Sequence, residues 1–262
     1  MNFYLVFYID KILEEAMVRF AKSLKHSMFY YDHNGFIFLL TKKMIGFYER
    51  FFKQIGFLPS GYSYYKSELL TEIGMDDKDI LESDGLLKRL VSIGGLSDLE
   101  LPIQKDKLLP VHIRCSTKTE IHLVTGMAVL EKGSSTVRFV LHELGVPKHL
   151  IATTPRHLQY LHKALELYPT GGQQSVKALL EHQGRNYNQF QRDCKGYFGD
   201  TFYQFYIKKK MIDAVGDIMF SGLSLKEIAH QNGFLDYNNM YKLFKKYKAL
   251  PLVDIPRFSK GL

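Results

Sequence analysis

The chain has 262 residues, with 35 Lys plus Arg against 27 Asp plus Glu (net +8), 46% hydrophobic and 14% aromatic residues, two cysteines and no tryptophan. Ordinary apolar content with a small net charge for the length excludes global disorder, and the length suits two modest domains, each able to bury its own core. Cys115 and Cys194 lie far apart without cysteine neighbours, which excludes a disulfide scaffold and a four-thiolate zinc site.

Aromatic and branched residues dominate 3–9 and predict an early strand. The run stops at Asp10 and Lys11, far short of the ~20 residues of a membrane span, and no basic leader precedes it, so a cytoplasmic chain with no membrane partner is expected. Over 11–25, Ile12, Leu13, Ala16, Met17, Phe20 and Leu24 recur at three- and four-residue steps and predict an amphipathic helix. The runs 28–31 and 36–40 are β-prone, and the Asn34-Gly35 pair between them predicts a tight hairpin. Met44, Phe47, Tyr48, Phe51 and Phe52 predict a helix ending near Gly56. Residues 61–101 read as short helices and loops, one helix spanning 73–81.

Three strands over 109–115, 120–130 and 136–143 close this half as an antiparallel meander, giving an α+β domain with helices and an antiparallel sheet. Gly145 and Pro147 break the last strand, Thr154 is placed to cap a helix with Pro155 at its first position, and no strand signal follows. The expected domains are 1–150 and 151–262, the second all-α. Charge divides with them: residues 153–262 hold 16 basic and 9 acidic side chains, so nearly all the positive excess sits where a polyanion would bind.

The basic half contains a pattern written twice. Leu179, Leu180 and Gly184 match Ile228, Ala229 and Gly233 at an offset of 49, and Phe190, Arg192 and Cys194 match Met240, Lys242 and Phe244 at an offset of 50. Each copy reads as a short helix capped by serine (Ser175, Ser224), a glycine turn, and a second helix with one apolar side and one amide-and-basic side. That is a helix-turn-helix, whose second helix enters the DNA major groove. Asn188, Gln191 and Arg192 share the polar face of the first copy, and Asn238, Asn239 and Lys242 that of the second; amides pair with adenine and basic groups with guanine. Lys195, Lys245 and Lys246 lie a turn further on and suit phosphates. Tyr187 and Tyr237 read equally as groove contacts or turn packing. Between the copies a helix over 205–220, about 24 Å long, carries an apolar side and the basic cluster Lys208 to Lys210, and would hold the two units as one body on successive grooves.

At these residues residues 156–258 resemble the AraC/XylS family DNA-binding domain. The stretch from Leu225 to Tyr247 is similar to the family signature in Ile228-Ala229, Gly233-Phe234, Asp236 and Phe244-Lys245-Lys246-Tyr247. The resemblance implies base contacts from Asn188, Gln191, Arg192, Asn238, Asn239 and Lys242. Leu180 stands where alanine is usual, Gly216 interrupts the connecting helix, Ala249 replaces a glycine, and the tail from Pro251 to Phe258 lacks the usual ending. Residues 10–145 weakly resemble a PAS sensor domain, with a cupin-like barrel as the alternative; a PAS domain implies a small apolar cavity or a dimerising surface.

His112 and Cys115, three apart on one predicted strand, point to opposite faces and make no metal or nucleophilic pair. His122, His142, His149, His157 and His162 are scattered singly, and Asp76, Asp77 and Asp79 lack calcium-loop spacing. No catalytic residue, metal or cofactor is expected. The reading is a sequence-specific transcription regulator, not an enzyme, with double-stranded DNA as partner; RNA polymerase, a small-molecule effector and a second copy bound through the N-terminal domain are further candidates. The alternative is a scaffold that binds DNA without sequence preference, or binds protein.

Overall fold

The structure is a computed structural model describing residues 3–24, 34–58, 68–74, 108–130, 136–168, 175–247 and 251–258. Its elements are α1 (Phe3–Leu24), α2 (Asn34–Gln54), β1 (Glu68–Gly74), β2 (Leu108–Ser116), β3 (Glu120–Leu130), β4 (Thr136–Pro147), α3 (Gln159–Leu167), α4 (Val176–His182), α5 (Tyr187–Phe198), α6 (Phe202–Phe220), α7 (Leu225–Gln231) and α8 (Tyr237–Lys246), with short 3₁₀ turns after β4, before α3 and at Leu252–Asp254. The chain forms two compact units: one takes in 10–49 and 60–150, the other 1–9, 50–59 and 151–261.

The first unit is built on a four-stranded antiparallel sheet in the order β1-β4-β3-β2. The predicted meander is present, with β2, β3 and β4 in continuous register. Gly145 and Pro147 do not end β4, which runs to Pro147 opposite Glu120. The proline is tolerated because β1 pairs β4 only as far as Leu141, so among the described residues no ladder partner needs its missing N–H. Gly126 is required where β3 meets β4: a Cβ there would lie 1.9 Å from the Val140 carbonyl oxygen. The predicted helical stripe Ile12, Leu13, Ala16, Met17 and Phe20 is buried, as are Leu40, Met44, Phe47 and Tyr48 of α2.

His112, Thr125 and His142 face one another directly across β2, β3 and β4 and so share one side of the sheet. Asp10, fully buried, receives Arg114 Nε at 2.7 Å and Arg114 Nη2 on Oδ2, and its Oδ1 lies 2.8 Å from His112 Nε2. On the opposite side His122 Nδ1 pairs with the buried Glu143 carboxylate. His112 and His122 are thus both paired side chains.

Three predicted elements are corrected. Residues 3–9 are the first turns of a helix: Phe3 meets Phe7 at 4.4 Å and Tyr4 stacks on Tyr8 at 6.0 Å, contacts between i and i+4 that a strand cannot make. The run 36–40 lies within α2, whose first residues are the Asn34-Gly35 pair; both types serve a helix start as well as a hairpin. Ile73 and Gly74, read as opening a short helix, end strand β1. The run 28–31 and residues 75–81 lie outside the described residues.

The second unit is helical around α6. Burial of Phe205, Tyr206, Met211, Ile212, Ala214, Val215, Ile218 and Met219 leaves that helix with scarcely any wet side, so it is a core element. Aromatic rings join it to its neighbours: Phe198 stacks on Phe205 at 4.4 Å, Phe57 on Phe205 at 5.3 Å, and Phe190 meets Phe202 at 5.1 Å. Phe51 stacks on Phe244 at 6.0 Å. The tail is anchored despite its unusual ending, since the Phe258 N–H donates to the Met219 carbonyl at 2.7 Å and its ring stacks on Phe220. Thr154 does not cap α3; its hydroxyl bonds Tyr197, and Pro155 precedes a 3₁₀ turn over Arg156–Leu158.

Candidate nucleic-acid interface

Both copies of the repeat fold by the same local rules. Ser175 and Ser224 cap α4 and α7 as expected, Ser224 through a reciprocal box with Glu227. Gly184 and Gly233 then take the left-handed conformation at φ 66° and 67°. The turns are matched bond for bond: the Arg185 N–H donates to the Leu180 carbonyl at 2.9 Å, and the Phe234 N–H to the Ala229 carbonyl at 2.9 Å. The second helices start on side-chain caps, Asn186 accepting from the Gln189 N–H at 3.1 Å and Asp236 from the Asn239 N–H at 2.6 Å.

These helices sort their residues as an amphipathic reading helix requires. In α5, Phe190, Cys194 and Phe198 are buried while Asn188, Arg192 and Lys195 are exposed and Gln191 is half-buried. In α8, Met240 and Phe244 are buried while Asn238, Asn239, Lys242, Lys245 and Lys246 are exposed. All nine side chains singled out in the sequence therefore lie off the core, six on amide-and-basic faces and three lysines beyond them. Burial pushes the Cys194 thiol up to about 12, with the Asp193 charge adding to the effect, so it is an inert core group.

The first face is tied to the body of the unit by groups that sequence alone did not single out. The Tyr160 hydroxyl of α3 donates to Asp193, Asp193 accepts from Gln189 Nε2 at 2.7 Å, and Gln189 Oε1 accepts from Arg192 Nη2 at 2.9 Å. Arg185 lies over the Tyr160 ring at 4.6 Å. Burial first, and then the Asp193 bond, raise the Tyr160 hydroxyl well above its ordinary range and keep it a donor. The spacing of Gln189, Arg192 and Asp193 within α5 was the available signal; the link to Tyr160 was not.

The lysine run is corrected. Lys208 is buried, pairs with Asp200 at 2.5 Å and stands near the rings of Phe57 and Tyr247. Lys210 bonds the Gly233 carbonyl in the second turn and lies over the Phe234 ring at 4.6 Å; burial lowers its pKa. Two of the three lysines therefore brace the fold and do not form a solvated basic face. Tyr187 is partly exposed, and Tyr237 packs by Tyr241 with ring centres 6.2 Å apart.

Among the described residues no group of three or more His, Cys, Asp or Glu side chains could hold a metal ion, and no helix is long and apolar enough to cross a membrane. The model of a helix-turn-helix domain family matches residues 179–253. No curated protein and no solved structure matches the chain. Residues 179–253 carry an AraC-type helix-turn-helix, a DNA-binding domain that supports a role in transcription regulation.

Proposed function

We propose that the chain is a sequence-specific transcription regulator in which residues 151–262 read double-stranded DNA through two helix-turn-helix units and residues 1–150 sense a signal or dimerise. The observation that carries this reading is the repeated exposure of amide and basic side chains on α5 and α8, each opposite a buried apolar stripe. Asn188, Gln191, Arg192, Asn238, Asn239 and Lys242 contact bases, whereas Lys195, Lys245 and Lys246 neutralise phosphates. The 19 residues of α6 extend about 28 Å and set the spacing of the two reading helices on successive major grooves, ~34 Å apart. Such a regulator works in the cytoplasm, and RNA polymerase is its natural further partner.

A PAS-like fold for the first domain is supported by the closing meander with β1 added beside β4. A small-molecule effector is supported by the row His112, Thr125 and His142, in which the buried atoms Thr125 Oγ1, His142 Nε2 and His112 Nδ1 have no protein hydrogen bond among the described residues. The effector reading is tested by titration against the free chain. The DNA reading is tested by selection from a random duplex pool. One motif about two turns long is expected, Arg192→Ala relaxing preference at one base and Lys245→Ala weakening all duplexes alike while lowering the salt slope by about 1. Binding with a steep salt dependence and no preferred sequence would instead favour the scaffold reading.

A further inference from the structure

The two copies of the repeat differ in length by one residue, and the structure identifies the extra one. Both turns run from the positive-φ glycine to a residue bonded back to the first helix, Arg185 in one copy and Phe234 in the other. In the first copy the next residue, Asn186, is the cap; in the second, Leu235 intervenes before the cap Asp236. Phe234 takes the buried position at 4% exposure, and Leu235 is left 86% exposed.

A single exposed leucine is ordinary on a protein surface. This one is held out by a fixed turn. Gly233 is set at φ 67°, its carbonyl is bonded by Lys210, and the Phe234 ring is clamped under the same ammonium at 4.6 Å. Asp236 is extended at φ −158° and ψ 179° and bonds the Asn239 N–H. Leu235 stands three and four positions before Asn238 and Asn239, which are in turn four and three before Lys242. Leu235 is thus an exposed side chain directly before the cap of α8, at the N-terminal end whose residues approach base edges in this motif. The base-edge feature that an aliphatic side chain recognises in the major groove is the thymine 5-methyl group.

We propose that Leu235 forms a thymine-methyl contact that specifies one position of the target next to those read by Asn238 and Asn239. The proposal rests on the DNA-reading function of α8 and adds to it a side chain with no counterpart in the first copy. Because the turn already fixes the backbone at Leu235, binding has only the leucine side chain itself to order.

The test uses the full chain and the duplex recovered by selection. Each thymine is replaced singly by deoxyuridine, which lacks only the methyl group, and dissociation constants are measured at constant salt for the wild type and for Leu235→Ser. Burial of one methyl group is worth about fourfold in affinity. The expected result is one position, beside those relaxed by Asn238→Ala, where deoxyuridine weakens the wild type about fourfold and leaves Leu235→Ser unchanged. Circular dichroism of Leu235→Ser should match the wild type, since the side chain packs against so little. Equal deoxyuridine effects in both proteins, or none anywhere, overturn the proposal. Failure of the selection to yield any motif is seen before deoxyuridine is introduced, and it would overturn the DNA reading itself.

Discussion

Replacing Lys208 with methionine tests whether the centre of the helical unit is held by charge as well as by apolar packing. The Lys208 side chain is 8% exposed and that of Asp200 19%, and they meet at 2.5 Å. Removing one partner of a buried pair costs about 3 to 5 kcal/mol, because a desolvated charge is left behind. Here water reaches the Asp200 carboxylate in part, which draws the figure toward the lower end, and the ammonium's contacts at 5.9 Å to Phe57 and 6.0 Å to Tyr247 add a few tenths. The expected loss for Lys208→Met is about 3 kcal/mol in urea unfolding followed by circular dichroism. Lys208→Met with Asp200→Asn should recover about 2 kcal/mol of it, since no unpaired charge then remains and the methionine lies among rings. Lys208→Met within about 0.5 kcal/mol of the wild type, or additive losses around the double-mutant cycle, would refute the assignment.

Burial, aided by the Lys42 charge, pushes His142 down to about 4. A histidine favoured in its neutral form stabilises the fold fully above its unfolded pKa near 6.5, and that contribution is lost as pH falls toward 4, by up to about 3 kcal/mol. The stability difference between wild type and His142→Gln should therefore change across that window, and parallel curves would contradict the burial argument. Gly126→Ala sets a Cβ 1.9 Å from the Val140 carbonyl oxygen and 2.9 Å from Leu141 Cα, both backbone atoms of a paired strand, so a loss above about 3 kcal/mol is expected on thermal or urea unfolding. Gly196→Ala, in the exposed interior of α5 with nothing within 4 Å of the added atom, should gain up to about 1 kcal/mol; a loss there would show that the space is not free.

The most legible elements were those whose local rule and tertiary role agree. The strands of the meander are runs rich in aliphatic and β-branched residues, buried at consecutive positions such as Leu123, Val124, Thr125, Met127 and Ala128, and the capping serines and turn glycines of the repeat have no better use for their chemistry. The misread elements are those where a local preference met a stronger neighbour. Phe3, Tyr4, Phe7 and Tyr8 have strand propensity, yet ring contacts such as Tyr4 on His162 at 4.3 Å reward a helical spacing that no single-residue preference encodes. Asn34-Gly35 is compatible with two structures, and Lys208 owes its burial to Asp200, eight residues away just before the cap of the same helix, together with rings from elsewhere in the unit. The outer faces of α5 and α8 were legible because amphipathic spacing alone separates them from Phe190, Cys194, Met240 and Phe244. The tether from Tyr160 to Arg192 was not, since it joins residues 32 apart through two intermediates.

That tether has a consequence for how the two copies of the repeat divide their labour. An arginine free in water surrenders about 0.5 to 1.5 kcal/mol of rotational freedom when a target immobilises it. Arg192 has surrendered part of this in advance, strung along a line of acceptors and donors that begins on α3, so under the proposed DNA reading a mismatched base would meet a guanidinium that cannot easily swing aside. Under that reading the first copy would be a stiff gauge, and a family of natural targets should vary least beneath it.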